Sequence, residues 1–339
     1  MSTFARMIWR NHFDLPELPP PGTFKDQSIL ITGATGGMGL ATAIHFVNLG
    51  ASSVIITGRT NAKGEEAKAI IEDQTNTNGI VKVMELEMNT FAGTKLFAEK
   101  LKKEVKTIDY VLLNAGVLKT DFKLGEEGYE ESIQVNVLST ALLALLLLPW
   151  MKAAGKGKAH LGFVTSGRHR GVSIDGSFPK QDVLQFFSKK EHFPGSQICS
   201  ISKLLEQYVA NEISKLSLGP DGTPQVIVNS ICPGAVYSDL SRQYKKGYIA
   251  TYAVNLVMNI MAKSSEGGAR TPVLAAMTTP AENGKYITHY QSDEDYKVAA
   301  AKNIFGPEGQ KMQAEVWKEI IAILAEKVPE VKEIVHSVA

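Results

Sequence analysis

Short apolar runs rich in Ile, Val and Leu alternate along the chain with longer stretches whose apolar positions recur every 3.6 residues. "SILITGATGGMGLATAIHFVNLG" predicts a strand, a glycine turn and an amphipathic helix. "SVIITGR" predicts a second strand, "AKGEEAKAIIEDQ" a helix and "VKVMELEM" a third strand. A helix through Lys95–Lys103, the strand "IDYVLLNAG", a helix near Glu131–Leu148 and the strand "AHLGFVTSG" continue the pattern. After a longer irregular insert, Val172–Pro194, comes a helix whose periodic face is Ile201, Leu204, Leu205, Tyr208, Val209 and Ile213. The strand "QVIVNSICPG" follows it. From Ser241 the pattern loosens into one or two helices, another in "SEGGARTPVLAAMTT", a short strand "GKYITHY" and a closing helix "QKMQAEVWKEIIAILAEKV". Strand–helix alternation with short connections predicts an α/β fold, a doubly wound parallel sheet flanked by helices, with helical additions at the C-terminus.

Residues 1–23 read as an N-terminal extension, because "LPELPPPGTF" cannot be regular helix or central strand. Residues 24–290 read as one domain, and 291–339 as a helical tail packed on it. The greasiest run, "ALLALLLLPW", falls short of the roughly 18–20 residues that span a bilayer, and predicts a buried helix closed by Pro149. "MSTFARMIWRN" has too little apolar length for a signal peptide, so a cytoplasmic protein is expected. Charge narrows the partners. With 36 basic and 35 acidic residues and no long run of one sign, nothing points to nucleic acid. Cys199 and Cys232 are the only cysteines and show no ligand spacing, so neither a disulfide framework nor a metal site is expected.

"TGATGGMG", Thr32 to Gly39, lies between a predicted strand and a predicted helix, the context a dinucleotide-binding turn requires. Gly33 allows the tight turn; Gly37 and Gly39 permit close approach of a pyrophosphate and of helix to strand. The helix N-terminus beyond them offers N–H groups to phosphate. An acid after the second strand would hold the ribose hydroxyl of NAD. Here the strand ends "ITGRT", and Arg59 suits a 2′-phosphate, which favours NADP(H).

Taken together, these residues resemble the short-chain dehydrogenase/reductase family over about Phe24 to Ile287. The glycine motif matches Thr32, Gly33, Gly37 and Gly39, with Thr35 and Met38 inside it. "LNAG" supplies Asn114, Ala115 and Gly116; "IQVNVLS" supplies the helix asparagine, Asn136; "FVTSG" supplies the serine, Ser166. "CPGAVYSDL" matches the motif after the sixth strand, with Pro233, Gly234, Val236 and, where threonine is usual, Ser238. The spacing from Ser166 to Lys203 and "SKLLEQY" look most like retinol-dehydrogenase-like members, among them many fungal enzymes of secondary metabolism. The resemblance implies a Rossmann fold, an NADP(H) cofactor, a small hydrophobic substrate and a monomer or homodimer.

One position departs from the family. Its YxxxK becomes "CSISK", with Lys203 kept and Cys199 in place of the tyrosine. In the family that tyrosine exchanges a proton with the substrate oxygen, the lysine lowers its pKa and holds the nicotinamide ribose, the serine binds the oxygen, and the asparagine supports a water relay. Sγ lies one bond beyond Cβ, roughly 4 Å short of a phenolic oxygen on ordinary bond lengths. Cys199 therefore reads as a small apolar filler, with direct proton transfer by its thiol as the alternative. Lys203 reads as a cofactor and proton-relay residue, against a solvated surface lysine. Cys232 reads as core, and "GRHR" at Arg168–Arg170 as a solvated loop. Tyr237, Tyr244 and Tyr248 are candidates to replace the missing acid. Three functions fit: an NADP(H)-dependent oxidoreductase on a hydrophobic carbonyl or alcohol; a redox-neutral isomerase, dehydratase or cyclase that keeps the cofactor as scaffold; and a non-catalytic NADP(H)-binding protein.

Overall fold

The structure is a computed structural model and describes residues 3–155, 157–237 and 261–336. Ser238, Tyr244, Tyr248 and most of the helical stretch expected from Ser241 lie outside the described residues. The predicted strands form β1 (Ser28–Ile31), β2 (Ser53–Gly58), β3 (Val81–Glu85), β4 (Tyr110–Leu113), β5 (Ala159–Val164), β6 (Val226–Ile231) and β7 (Tyr286–Ile287). All pair in parallel in the order β3-β2-β1-β4-β5-β6-β7. Ile29 of β1 lies between Val54 of β2 and Tyr110 of β4. Strand order reverses between β1 and β4, and that switch point opens a crevice at the carboxyl ends of the strands.

Both faces of the central strands are buried, which is why these read as largely apolar runs, whereas the edge strand β3 exposes Lys82 and Glu85. One face packs under Phe24, Phe46, Ile71 and Val273. The other packs under the leucine-rich helix, Tyr208 and Leu205, and Val316 and Ile320 of the closing helix Pro307–Lys327.

The leucine-rich run overturns two expectations. It belongs to a helix from Glu131 to Gly155, long and apolar enough to cross a membrane by length and composition, yet 94% of the relevant window is buried inside the chain. The helix also continues through Pro149 to Gly155 rather than closing there. Pro149 is itself exposed, although Leu145, whose carbonyl its missing N–H cannot meet, is fully buried. Lys102 Nζ reaches the Leu146 carbonyl at 3.5 Å.

The extension is not merely a proline-rich lead-in, because Thr3–Phe13 is a helix that ends before the prolines. Asn11, buried on it, donates to the carbonyls of Met261, at 2.9 Å, and Ala235. Arg6 pairs with Asp295 at 2.9 Å, and Arg10 donates to the His289 carbonyl. The insert before the cysteine helix also holds more structure than expected, with a short helix at Val183–Phe187.

"GRHR" is not a solvated loop either: Gly167–Gly171 is a 3-10 turn and His169 is fully buried. Its Nε2 meets Tyr296 Oη at 3.1 Å, and its carbonyl accepts from Asn303 Nδ2 at 2.8 Å. Burial, helped by the Arg170 charge, pushes the imidazole down to about 3. An unfolded histidine takes up its proton near 6.5, so the native state loses stability as pH falls from 6.5 toward 3. The expected loss is about 1.4 kcal/mol per pH unit from this group once well below 6.5. Urea unfolding at pH 7 and pH 5 checks it. His169→Gln, which cannot titrate, should lose less stability over that interval, and equal losses in the two proteins would remove His169 as the cause.

Candidate active site

The glycine turn is fixed by its neighbours in the sheet. Thr32 Oγ1 accepts the N–H groups of Asn114 and Ala115, each at 2.9 Å, and Asn114 Nδ2 returns to the carbonyls of Thr32 and Gly33. Gly33 has φ +64°, and a Cβ there would lie 2.8 Å from Ala115 Cα. A Cβ on Gly39 would lie 2.6 Å from Asn114 Nδ2. Any side chain at either position would push the turn off β4. The helix Gly37–Asn48 starts behind Gly36 with no side-chain cap and no acid in its first turn. Its first N–H groups thus keep the capacity to bind an anion. Met38 packs onto the core below.

Thr35 lies over Gly58: a Cβ on that glycine would meet Thr35 Cγ2 at 2.6 Å. Arg59 follows, exposed, with no hydrogen bond or ion pair among the described residues. Thr57 was not singled out by sequence reasoning, yet its hydroxyl accepts Gly33 N–H at 3.1 Å and its carbonyl accepts Ala34 N–H at 3.1 Å. Its only signal was its place one residue before the end of a strand facing the glycine turn.

Asn136, Gly116 and Lys203 come together across the crevice. Asn136 sits on a π-helical turn, Gln134–Ser139, an irregularity of the kind found at functional sites. Its Oδ1 accepts Val117 N–H at 2.8 Å, and its Nδ2 donates to Val117 O and to Ser202 Oγ. A Cβ on Gly116 would fall 3.2 Å from Asn136 Oδ1 and 3.7 Å from Lys203 Nζ, so the glycine leaves open space beside the ammonium.

Lys203 is not a surface lysine. It projects from the helix Ile198–Leu216, and Nζ donates to Val164 O at 2.7 Å and Glu206 Oε2 at 2.5 Å. Two of its three N–H groups are thereby used, which leaves one for the space above Gly116. Glu206 is 1% exposed. Burial raises its carboxyl to about 7, with Lys203 pulling the other way. Cys199, buried one turn before Lys203, lies on the same helix stripe.

Ser166 follows β5 and caps the 3-10 turn, accepting Arg168 N–H at 3.4 Å. Cys232 is buried as expected but is more than core filling. Its Sγ accepts Gly167 N–H at 3.2 Å and lies 3.1 Å from Tyr290 Oη. The peptide after Ser166 is therefore held from β6 and from the residues after β7. Pro233, Gly234 and Val236 form the loop beyond β6, where Val236 packs on Gly268 and pairs with Lys263. Tyr237 at its end is exposed. Lys263, missed in the sequence, is 3% exposed beside His289, and burial lowers its ammonium to about 8.

An open parallel sheet with a glycine turn at its switch point, and a half-buried lysine facing that turn's side of the crevice, define a Rossmann-type protein. Residues 27–167 match the family model of the short chain dehydrogenases. The chain is 32% identical over 323 residues to the short-chain dehydrogenase/reductase ffsI of Aspergillus flavipes, covering 94% of this chain and 92% of that one. It belongs to the short-chain dehydrogenase/reductase family and is an oxidoreductase by that membership. Among solved structures, a short chain dehydrogenase of Shigella flexneri complexed with NADP superposes with a TM-score of 0.56 at 18% identity, over 79% of this chain and 98% of the other. A short chain oxidoreductase of Pseudomonas aeruginosa, bound to NADPH and described as containing an atypical catalytic center, gives 0.57 at 17%, over 78% of this chain and 96% of the other.

Proposed function

We propose that this protein is an NADP(H)-dependent oxidoreductase acting on a small hydrophobic carbonyl or alcohol, in secondary metabolism, through a site that lacks the family's tyrosine. The observation that carries the reading is the half-buried Lys203 ammonium with one N–H left for the space kept open by Gly116. The uncapped helix start and the sterically closed glycine cradle fit the cofactor's pyrophosphate. Thr32, Gly33, Thr35, Gly37, Met38 and Gly39 would hold it from one side. Asn114, Ala115, Gly116, Pro233, Gly234 and Val236 would line the crevice toward the nicotinamide. When bound, the cofactor supplies a hydride.

The chain's own residues do the rest. Ser166 orients the substrate oxygen. Lys203 holds the cofactor ribose and moves the proton through a water in the space a phenol would fill, and Asn136 fixes the Val117 peptide beside it. Cys199, with Sγ one bond from Cβ, fills rather than reacts. NADPH absorbance followed during turnover of candidate carbonyls, with products identified by mass, tests the reading directly. Product formed without NADPH consumption would favour the redox-neutral alternative.

Arg59 decides between the two dinucleotides. It is exposed and without a protein partner among the described residues, and no acid follows β2. Arg59→Ala is expected to weaken NADPH by roughly 10- to 100-fold, the loss of a charge-assisted contact, while leaving NADH nearly unchanged. Titrations with both cofactors check it; equal weakening of the two would remove the assignment.

A further inference from the structure

We propose that Glu206 is the proton-holding partner of Lys203, a positioning residue that keeps a transferable proton beside the lysine in place of the phenol that Cys199 lacks. The inference rests on the reductase reading above. Cys199, Lys203 and Glu206 stand at i, i+4 and i+7 of one helix and share a stripe. The family's proton donor has gone from the first position, and a carboxyl, rare in a protein interior, occupies the third. Glu206 meets Lys203 at 2.5 Å, among the described residues the ammonium is otherwise held only by Val164 O, and the carboxyl is 1% exposed. A merely structural ion pair has no need to sit where the ammonium faces the crevice.

Among the described residues, Lys203 is the charged group that acts on Glu206. The elements packed on this helix carry Arg168, His169 and Arg170 on the serine turn, Glu131 and Lys152 on the leucine-rich helix, and charged residues of the helix Pro307–Lys327, and none of these shifts it. With burial holding the carboxyl near 7, Glu206 exists in both forms at neutral pH. The proton balance closes. Hydride from NADPH forms the new C–H bond, and the carbonyl π pair moves onto oxygen. That oxygen takes a proton from the Lys203 ammonium through a water, forming O–H as N–H breaks. Lys203 takes its replacement from the Glu206 carboxylic acid, which is reprotonated from solvent.

Glu206→Gln tests this in the full chain, since the amide oxygen still accepts from Lys203 but cannot store a proton. The first readout needs no turnover: the infrared carboxyl band of the NADPH-loaded protein, titrated from pH 5 to 9. The wild type should show a protonated carboxyl lost with a midpoint near 7, and the variant should lack it. The second readout is the pH profile of kcat. The variant should reduce at least about tenfold more slowly and lose the limb near pH 7, with the NADPH Kd within about threefold of wild type. Glu206→Asp, which restores an acid, should recover part of both the limb and the rate; it also keeps the test alive if the Gln variant fails to fold. An unchanged rate and profile in the Gln variant, or a wild-type carboxyl with no titration near 7, overturns the proposal. A wild type that binds NADPH but reduces no carbonyl overturns the reductase reading instead. The infrared titration then still decides whether Glu206 stores the proton.

Discussion

Replacing Cys199 by tyrosine is expected to raise NADPH-dependent carbonyl reduction by about 10²–10⁴-fold, the contribution typical of a well-placed general acid. The phenol would grow from the first turn of the helix Ile198–Leu216, one turn ahead of Lys203, toward the space beside Gly116 and the Lys203 ammonium. Lys203 is already anchored at Val164 O and faces that space, so nothing else has to be built. NADPH titration and circular dichroism on the variant show whether the ring has been accommodated. If native activity falls and no reductase activity appears, the pocket serves redox-neutral chemistry and the ring is blocking it. Cys199→Ser separates both outcomes from thiol chemistry, because it nearly keeps the volume and removes the thiolate. The serine variant should stay largely active. A folded, NADPH-binding serine variant without activity would show that the sulfur takes part.

Lys203→Ala should be the most damaging single change. Turnover is expected to fall by at least about 10²-fold, through loss of the proton path, and NADPH affinity by about tenfold, through loss of the ribose contact. Parental affinity and rate in that variant would show that the site has been misplaced. A second consequence concerns stability. Removing the ammonium leaves Glu206 buried and unpaired, and the carboxyl escapes that cost only by keeping a proton. The variant should therefore lose stability relative to wild type as pH rises through 7 and above, and regain it below. Pairing the change with Glu206→Gln should flatten that dependence, which urea midpoints at pH 6 and pH 9 would show.

The sheet was legible because its central strands are covered on both faces, so burial writes a largely apolar run into each of them. The glycine turn was legible for a steric reason: Gly33 and Gly39 meet Ala115 and Asn114 too closely for any other residue. Lys203 and Asn136 could be read through their motifs. What was hidden depended on distant partners. Pro149 looks like a stop because nothing local says its helix end faces solvent. His169 sits between two arginines and looks wet, but Tyr296 and Asn303, more than 120 residues later, enclose it. Glu206 lies among apolar residues and reads as the polar side of an amphipathic helix. Its burial follows from the helix being enclosed on several sides, which periodicity does not report. Asn11 carries no motif at all, and its partners are Met261 and Ala235.

That last contact has a consequence for how the chain reaches its final form during synthesis. The helix Thr3–Phe13 is made before the sheet, yet its partners are Ala235, Met261, His289 and Asp295, 224 to 289 residues downstream. It must wait, tethered through the prolines, while the sheet between assembles, because contacts of such long sequence separation form only after that chain has been drawn in. Strands β1 to β6 can pair in the order they are made, or nearly so, but the first helix docks among the last elements. Docking then joins Ala235 and Met261, the backbone on either side of residues 236–260, through one asparagine side chain.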